Sequence, residues 1–127
     1  MLTQQTLEQN PPLRAGDLDH FHGSEEFYRH PIFKKFVYTE GVRHVADKGG
    51  ANWLLEKIFA CHMCVSTLQH QAFTVWSMER KGQGAKITVE DGNGGQLYKE
   101  TILYTDFPLN HITFWMVDNT LLLPSEY

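Results

Sequence analysis

The chain has little that would tie it to a membrane, a nucleic-acid backbone or a disulfide framework. Its 127 residues include two cysteines, Cys61 and Cys64, too few and too close together for a cross-linked secreted scaffold. No apolar run approaches the roughly 20 residues that a membrane helix needs. The opening MLTQQTLEQNPP is polar and lacks the charged-then-apolar pattern of a leader. A cytoplasmic protein with no membrane partner is therefore expected. Basic residues are also scarce: 11 Lys and Arg stand against 15 Asp and Glu, for a net charge of −4. Only Lys34-Lys35 and Arg80-Lys81 are adjacent. Tracking phosphates requires clustered cations that release counterions, so no nucleic-acid partner is expected either.

Apolar groups are plentiful. At 42% hydrophobic and 13% aromatic the chain can fill one core without metal or disulfide. Residues 1–20 read as a partly flexible lead-in, closed by Pro11-Pro12, ahead of a single domain over 21–127. Ser24 before Glu25 and Glu26 predicts a short capped helix that must end before Pro31. Ile32, Phe33, Phe36 and Val37 then form a helical stripe with Lys34 and Lys35 opposite, and a second helix is expected from Pro31. Thr39 can cap a further turn or two through Val42, Val45 and Ala46, which Gly49-Gly50 would end. A long helix is expected over 51–69, because Leu54, Ile58, Cys61, Val65 and Leu68 share one face.

After His70 the period changes to two. Strands are expected over 73–80, 85–90, 97–107, 112–117 and 120–123, linked by Lys81-Gly-Gln-Gly84, Asp91-Gly-Asn-Gly-Gly95 and Asp118-Asn119. The short links predict antiparallel pairing. The expected fold is thus α+β: a helical half over about 24–70, packed on one face of a C-terminal antiparallel meander of about five strands over 72–123.

No catalytic or cofactor motif stands out. Cys61-His-Met-Cys64 lacks the second ligand pair of a zinc site, and its cysteines read as small core residues of the long helix. His20-Phe-His22 with His30 or Glu40 is too loose a set for a metal, so no metal and no cofactor are expected. Asp91–Gly95 lacks the acidic alternation of a calcium loop and reads as a hairpin turn. Tyr28, Arg29, His30, Tyr38 and Glu40 form the best polar cluster: an acid or base in His30 and Glu40, an anion clamp in Arg29, a phenol in Tyr38. The same residues suit caps and an inter-helix ion pair. Trp76 and Trp115 lie on expected strands, where an outward-facing one would make a binding surface.

The words FYRHPIFKKFVYTEGV, GGANWLL, DGNG, TDFPL and LLLPSEY together resemble a family of small bacterial and phage-borne proteins, a domain of unknown function, over about 21–127. The resemblance implies a compact domain associated with mobile elements and carries no catalytic residues. CHMC is not one of its words. The reading that follows is a non-enzymatic interaction protein whose partner is a host or cellular protein, in its finest form an accessory or anti-defence factor of a mobile element. The alternative is a small enzyme or ligand-binding protein using Arg29, His30 and Glu40 in a cleft between helices and sheet. A homodimer through paired sheet edges stays open.

Overall fold

The computed structural model describes residues 13–20 and 26–127. The expected cap at Ser24, together with His22, lies outside the described residues. The fold is α+β: two α-helices on one side of a mostly antiparallel seven-stranded sheet. In chain order the elements are β1 (Phe27–Arg29), β2 (Val37–Thr39), α1 (Glu40–Gly49), α2 (Asn52–Cys64), β3 (Phe73–Lys81), β4 (Gly84–Glu90), β5 (Gln96–Ile102), β6 (His111–Val117) and β7 (Thr120–Leu122). Turns of 3-10 helix run over Ala15–His20 and Pro124–Glu126.

Four details depart from the pattern-based reading. The sheet has seven strands instead of about five, because β1 and β2 fall where two helices were expected. The stripe of Ile32, Phe33, Phe36 and Val37 fits a helix as sequence, but His30 overrides it. Its Nδ1 accepts the amides of Ile32 and Phe33, both at 3.1 Å, and so fixes a tight turn. That turn exposes Ile32 and sends Phe36 into the core, stacked on Phe59 with ring centroids 5.1 Å apart. Second, the sheet is not a simple meander. Its order is β1-β2-β7-β6-β3-β4-β5, so β6 returns to the far side of β3, and β2 pairs parallel to β7. Third, α2 stops at Cys64, where Val65 turns extended, instead of running on to 69. Fourth, β5 ends at Ile102, well short of 107.

The expected helix cap and two of the expected turns match in kind. Thr39 caps α1, accepting the Val42 amide, and Gly50 ends it at φ 60°. Asp118 and Asn119 take φ of 47° and 69° in the two-residue β6–β7 turn. Between β4 and β5, Asp91 accepts the amides of Asn93 and Gly95 at 2.8 and 3.0 Å.

One latch ties the end of the chain to α1. The buried carboxylate of Glu126 accepts the Thr39 hydroxyl at 2.6 Å, the Gly41 amide at 3.1 Å and the Leu123 amide at 2.9 Å. A negative group there also suits the positive end of the helix dipole. A Cβ at position 41 would come within 2.7 Å of that carboxylate and displace it from these bonds, so glycine keeps the latch closed.

The core lies between the helices and one sheet face: Val42, Val45, Leu54, Leu55, Ile58 and Phe59 against Trp76, Ile87, Val89, Phe114, Met116 and Leu121, with Leu13 joining it. The opposite face of the central strands carries no described α-helix. Among the described residues the C-terminal turn reaches it, where the Tyr127 ring meets Trp115 edge-on at 5.3 Å, and Leu18 lies beside His111 and Thr113 at its rim.

Candidate functional site

The residues from Tyr28 to Glu40 do not converge. β1 and β2 pair Tyr28 with Tyr38, and their rings stand 5.8 Å apart, with the Arg43 guanidinium 4.5 Å over the Tyr28 ring. The Tyr28 hydroxyl donates to Glu26, which pushes its pKa up. Arg29 alternates to the other side of this ribbon and donates to the Lys34 carbonyl. His30 is 6% exposed; its Nδ1 serves the turn and its Nε2 lies 3.9 Å from Glu56. Glu40 is exposed in the first turn of α1. Tyr28 and Tyr38 are thus brought together, while Arg29, His30 and Glu40 are held apart by separate structural duties. The cleft that the enzymatic alternative requires is not formed by these side chains.

The two tryptophans part company. Trp76 is 2% exposed, and its indole N–H donates to His62 Nε2 at 3.1 Å. The Thr74 hydroxyl lies 3.2 Å from the same nitrogen. Burial lowers the His62 pKa to about 4, outweighing a backbone hydrogen bond at Leu68 that opposes the shift, so the ring is a neutral acceptor in the core. The histidine of CHMC is therefore the buried member of that tetrapeptide. Cys61 is half-buried, its thiol pKa raised by burial, and Cys64 is exposed, so the expectation that both cysteines belong to the core is corrected. The cause is the early end of α2, which leaves Cys64 at the rim. Among the described residues no group of three His, Cys, Asp or Glu side chains is placed to hold a metal ion. Nor is any described helix long and apolar enough to cross a membrane.

Trp115 points the other way, onto the uncovered face. Strand register arranges that face as a grid with a gradient. One end is apolar: Phe73 opposite Val117, Val75 opposite Trp115, and Trp115 opposite Leu122. The middle row crosses three strands as Thr113, Ser77 and Thr88, continued by Lys99 on β5. The far row holds His111, Glu79 and Lys86, continued by Thr101. Ser77, Glu79, Lys81, Lys86, Thr88 and His111 line a shallow basin of about 330 Å³ there. Glu79 is tied to Lys81 at 2.5 Å, and that bond lowers its pKa. Lys86 and Lys99 have no ion pair among the described residues, so this end is locally positive on an acidic protein.

A second concavity opens where α2 meets the β5 edge. Trp53, Lys57, Ile102, Tyr104, Thr105 and Asp106 line a cleft of about 260 Å³. Lys57 donates to Glu100 at 2.7 Å, and the Tyr98 hydroxyl donates to the other oxygen of that carboxylate at 2.7 Å. Burial alone would raise the Glu100 pKa, but the bonds from Lys57 and Tyr98 outweigh it and hold it low. Donating its proton to the Glu100 carboxylate pushes the Tyr98 pKa well up. Burial raises the pKa of the neighbouring Cys61 thiol, and Tyr98 and Lys57 oppose that shift. Sequence reading missed this cluster. Lys57 and Glu100 stand 43 residues apart, and only the register that places Glu100 beside Ile87 turns it toward α2.

No curated protein and no solved structure matches the chain. Residues 13–127 match the model of DUF6876, a family of unknown function, and the chain belongs to that family.

Proposed function

We propose that the protein is a non-enzymatic interaction domain that docks a cellular protein on the uncovered face of its sheet. The gradient across that face supports the reading. Trp115, with Phe73 and Tyr127 against it, offers an aromatic anchor of the kind that dominates protein interfaces. Around it lie hydroxyls, and beyond them Lys86 and Lys99, which match the anatomy of an apolar centre with a polar rim. The complementary partner presents an apolar patch beside carboxylates. An accessory or anti-defence role for a mobile element is the finer form of this proposal, and it calls for a host protein as that partner.

The test is a cross-linked pull-down with the wild type and with Val75→Arg, which places a charge beside Trp115. A protein enriched by the wild type and lost with Val75→Arg, but retained with Arg29→Ala, supports the reading. Equal recovery by Val75→Arg overturns it. A stable dimer of the wild type that Val75→Arg dissociates would also overturn it, by giving the face to a second copy of the chain.

A further inference from the structure

We propose that the cleft between α2 and the β5–β6 loop binds an organic cation, a guanidinium or alkylammonium group. The site lies at the β5 edge on the helix side, so the inference is independent of the partner assigned to the uncovered face.

The loop after β5 is displayed, not loose. The Thr105 amide donates to the Gln83 carbonyl at 2.9 Å, and the Thr105 hydroxyl accepts the Phe107 amide at 3.2 Å. Arg80 holds the Phe107 carbonyl from β3. Thr105 and Phe107 are buried at 5% and 1%, and the alternate residues Tyr104 and Asp106 are left exposed. Tyr104 is 69% exposed, a large aromatic ring kept in water between the end of β5 at Ile102 and the anchored Thr105. Across the cleft stands the half-buried Trp53, in the first turn of α2. Two aromatic rings thus line a concavity of about 260 Å³, below the roughly 300–1,000 Å³ of sites that enclose a drug-sized ligand. It suits a group the size of one side-chain head.

Charge decides the sign of that group. Lys57 reaches the lining, but its ammonium is matched by Glu100 at 2.7 Å, so the pair contributes little net field. Asp106 has no ion pair among the described residues. The lining therefore carries one uncompensated negative charge beside two aromatic rings, whose faces attract cations and repel anions. A guanidinium or alkylammonium can bond to the Asp106 carboxylate while lying against Trp53 and Tyr104. A carboxylate or phosphate meets repulsion from both.

The experiment titrates the full chain with tetramethylammonium chloride, Nα-acetyl-arginine amide and an end-blocked Gly-Arg-Gly peptide, with sodium chloride at equal ionic strength as reference. The readout is the Trp53 indole N–H resonance, assigned with Trp53→Phe. A saturable shift with an affinity on the order of millimolar is expected for the organic cations and none for sodium. Tyr104→Ala and Asp106→Asn, both at exposed positions, should each weaken binding about fivefold with the thermal midpoint unchanged. Trp115→Ala should leave it intact. Binding of the peptide at least tenfold tighter than of the arginine amide would identify a protein side chain as the natural occupant, and the reverse order a free small cation; both support the site. An unsaturable Trp53 shift, or equal affinity in Asp106→Asn and Tyr104→Ala, overturns it.

Discussion

Trp76 and Trp115 stand on neighbouring strands of one sheet and face opposite ways. Trp76 pairs in register with Phe114 and lies under α2, its one polar atom matched by His62. Trp115 pairs with Val75 and keeps its ring partly in water, against Phe73 and Tyr127. The helix-covered face removes large side chains from water and must satisfy every polar group it traps. The opposite face buries Leu122 beside Trp115 but leaves its rows of Ser, Thr, Lys and Glu half-buried or exposed. One sheet therefore carries the core on one face and, on the proposed reading, the contact surface on the other.

The sharpest way to break this comparison is to truncate both tryptophans. Trp76→Ala should cost about 3–5 kcal/mol of unfolding free energy in urea, whereas Trp115→Ala should cost less than about 1 kcal/mol. Similar costs would show that the uncovered face is part of the core. Next in size is a pH effect. The His62 pKa falls from 6.5 in the unfolded chain to about 4 in the fold, so between those values the unfolded state binds more protons. The contribution of neutral His62 is complete above about pH 6.5 and is lost as pH falls toward and through about 4, by up to about 3 kcal/mol. Denaturation curves across that range should lose this part of their slope in His62→Gln; an unchanged slope would assign the loss to other groups.

Adjacent residues at the C-terminal turn sharpen the same contrast. Glu126→Ala strands the amides of Gly41 and Leu123 and should cost about 2–3 kcal/mol. Tyr127→Ala, one residue on and 79% exposed, should stay within about 0.5 kcal/mol. Thermal midpoints of the two variants distinguish them, and equal midpoints would remove the latch. The smallest expected effect lies at the β5 edge. Lys57→Met breaks a pair whose side chains are each 27% exposed and should cost about 1 kcal/mol or less, with a dependence on salt. A cost above about 3 kcal/mol would place that pair in the buried regime.

The central sheet was legible because each of its signals is local. Alternation over 73–90, the Asp91–Gly95 turn and Asp118-Asn119 speak for themselves within a few residues. So does Thr39 ahead of α1, whose cap and Gly50 terminus both match. β1 and β2 were illegible because they are three residues each and their turn depends on a histidine side chain, not on glycine or asparagine. α2 was overextended because Val65 and Leu68 continue its stripe after the backbone has left the helix, and Leu68 is still buried. Of the site residues, Trp115 could be placed on a strand but its face could not, since Trp76 carried the same signal. Tyr28–Glu40 looked like chemistry because caps and catalysts draw on the same residue types. Lys57, Glu100 and Asp106 carry no pattern of their own; only the β5 register and the pinned loop bring them to one cleft.

The parallel pairing of β2 with β7 has a consequence in time. Val37 meets Thr120 and Tyr38 meets Leu121, each across more than eighty intervening residues. The β3–β4, β4–β5 and β6–β7 pairs close on short loops, but this edge must wait for the whole chain. We expect the β1–β2 ribbon to dock last, and on a growing polypeptide only after β7 has left the ribosome. Pulsed hydrogen exchange during refolding should protect the amides of β3 and β4 before that of Val37, which donates to the Asn119 carbonyl at 3.0 Å. Simultaneous protection would mean that the ends find each other as fast as the hairpins do.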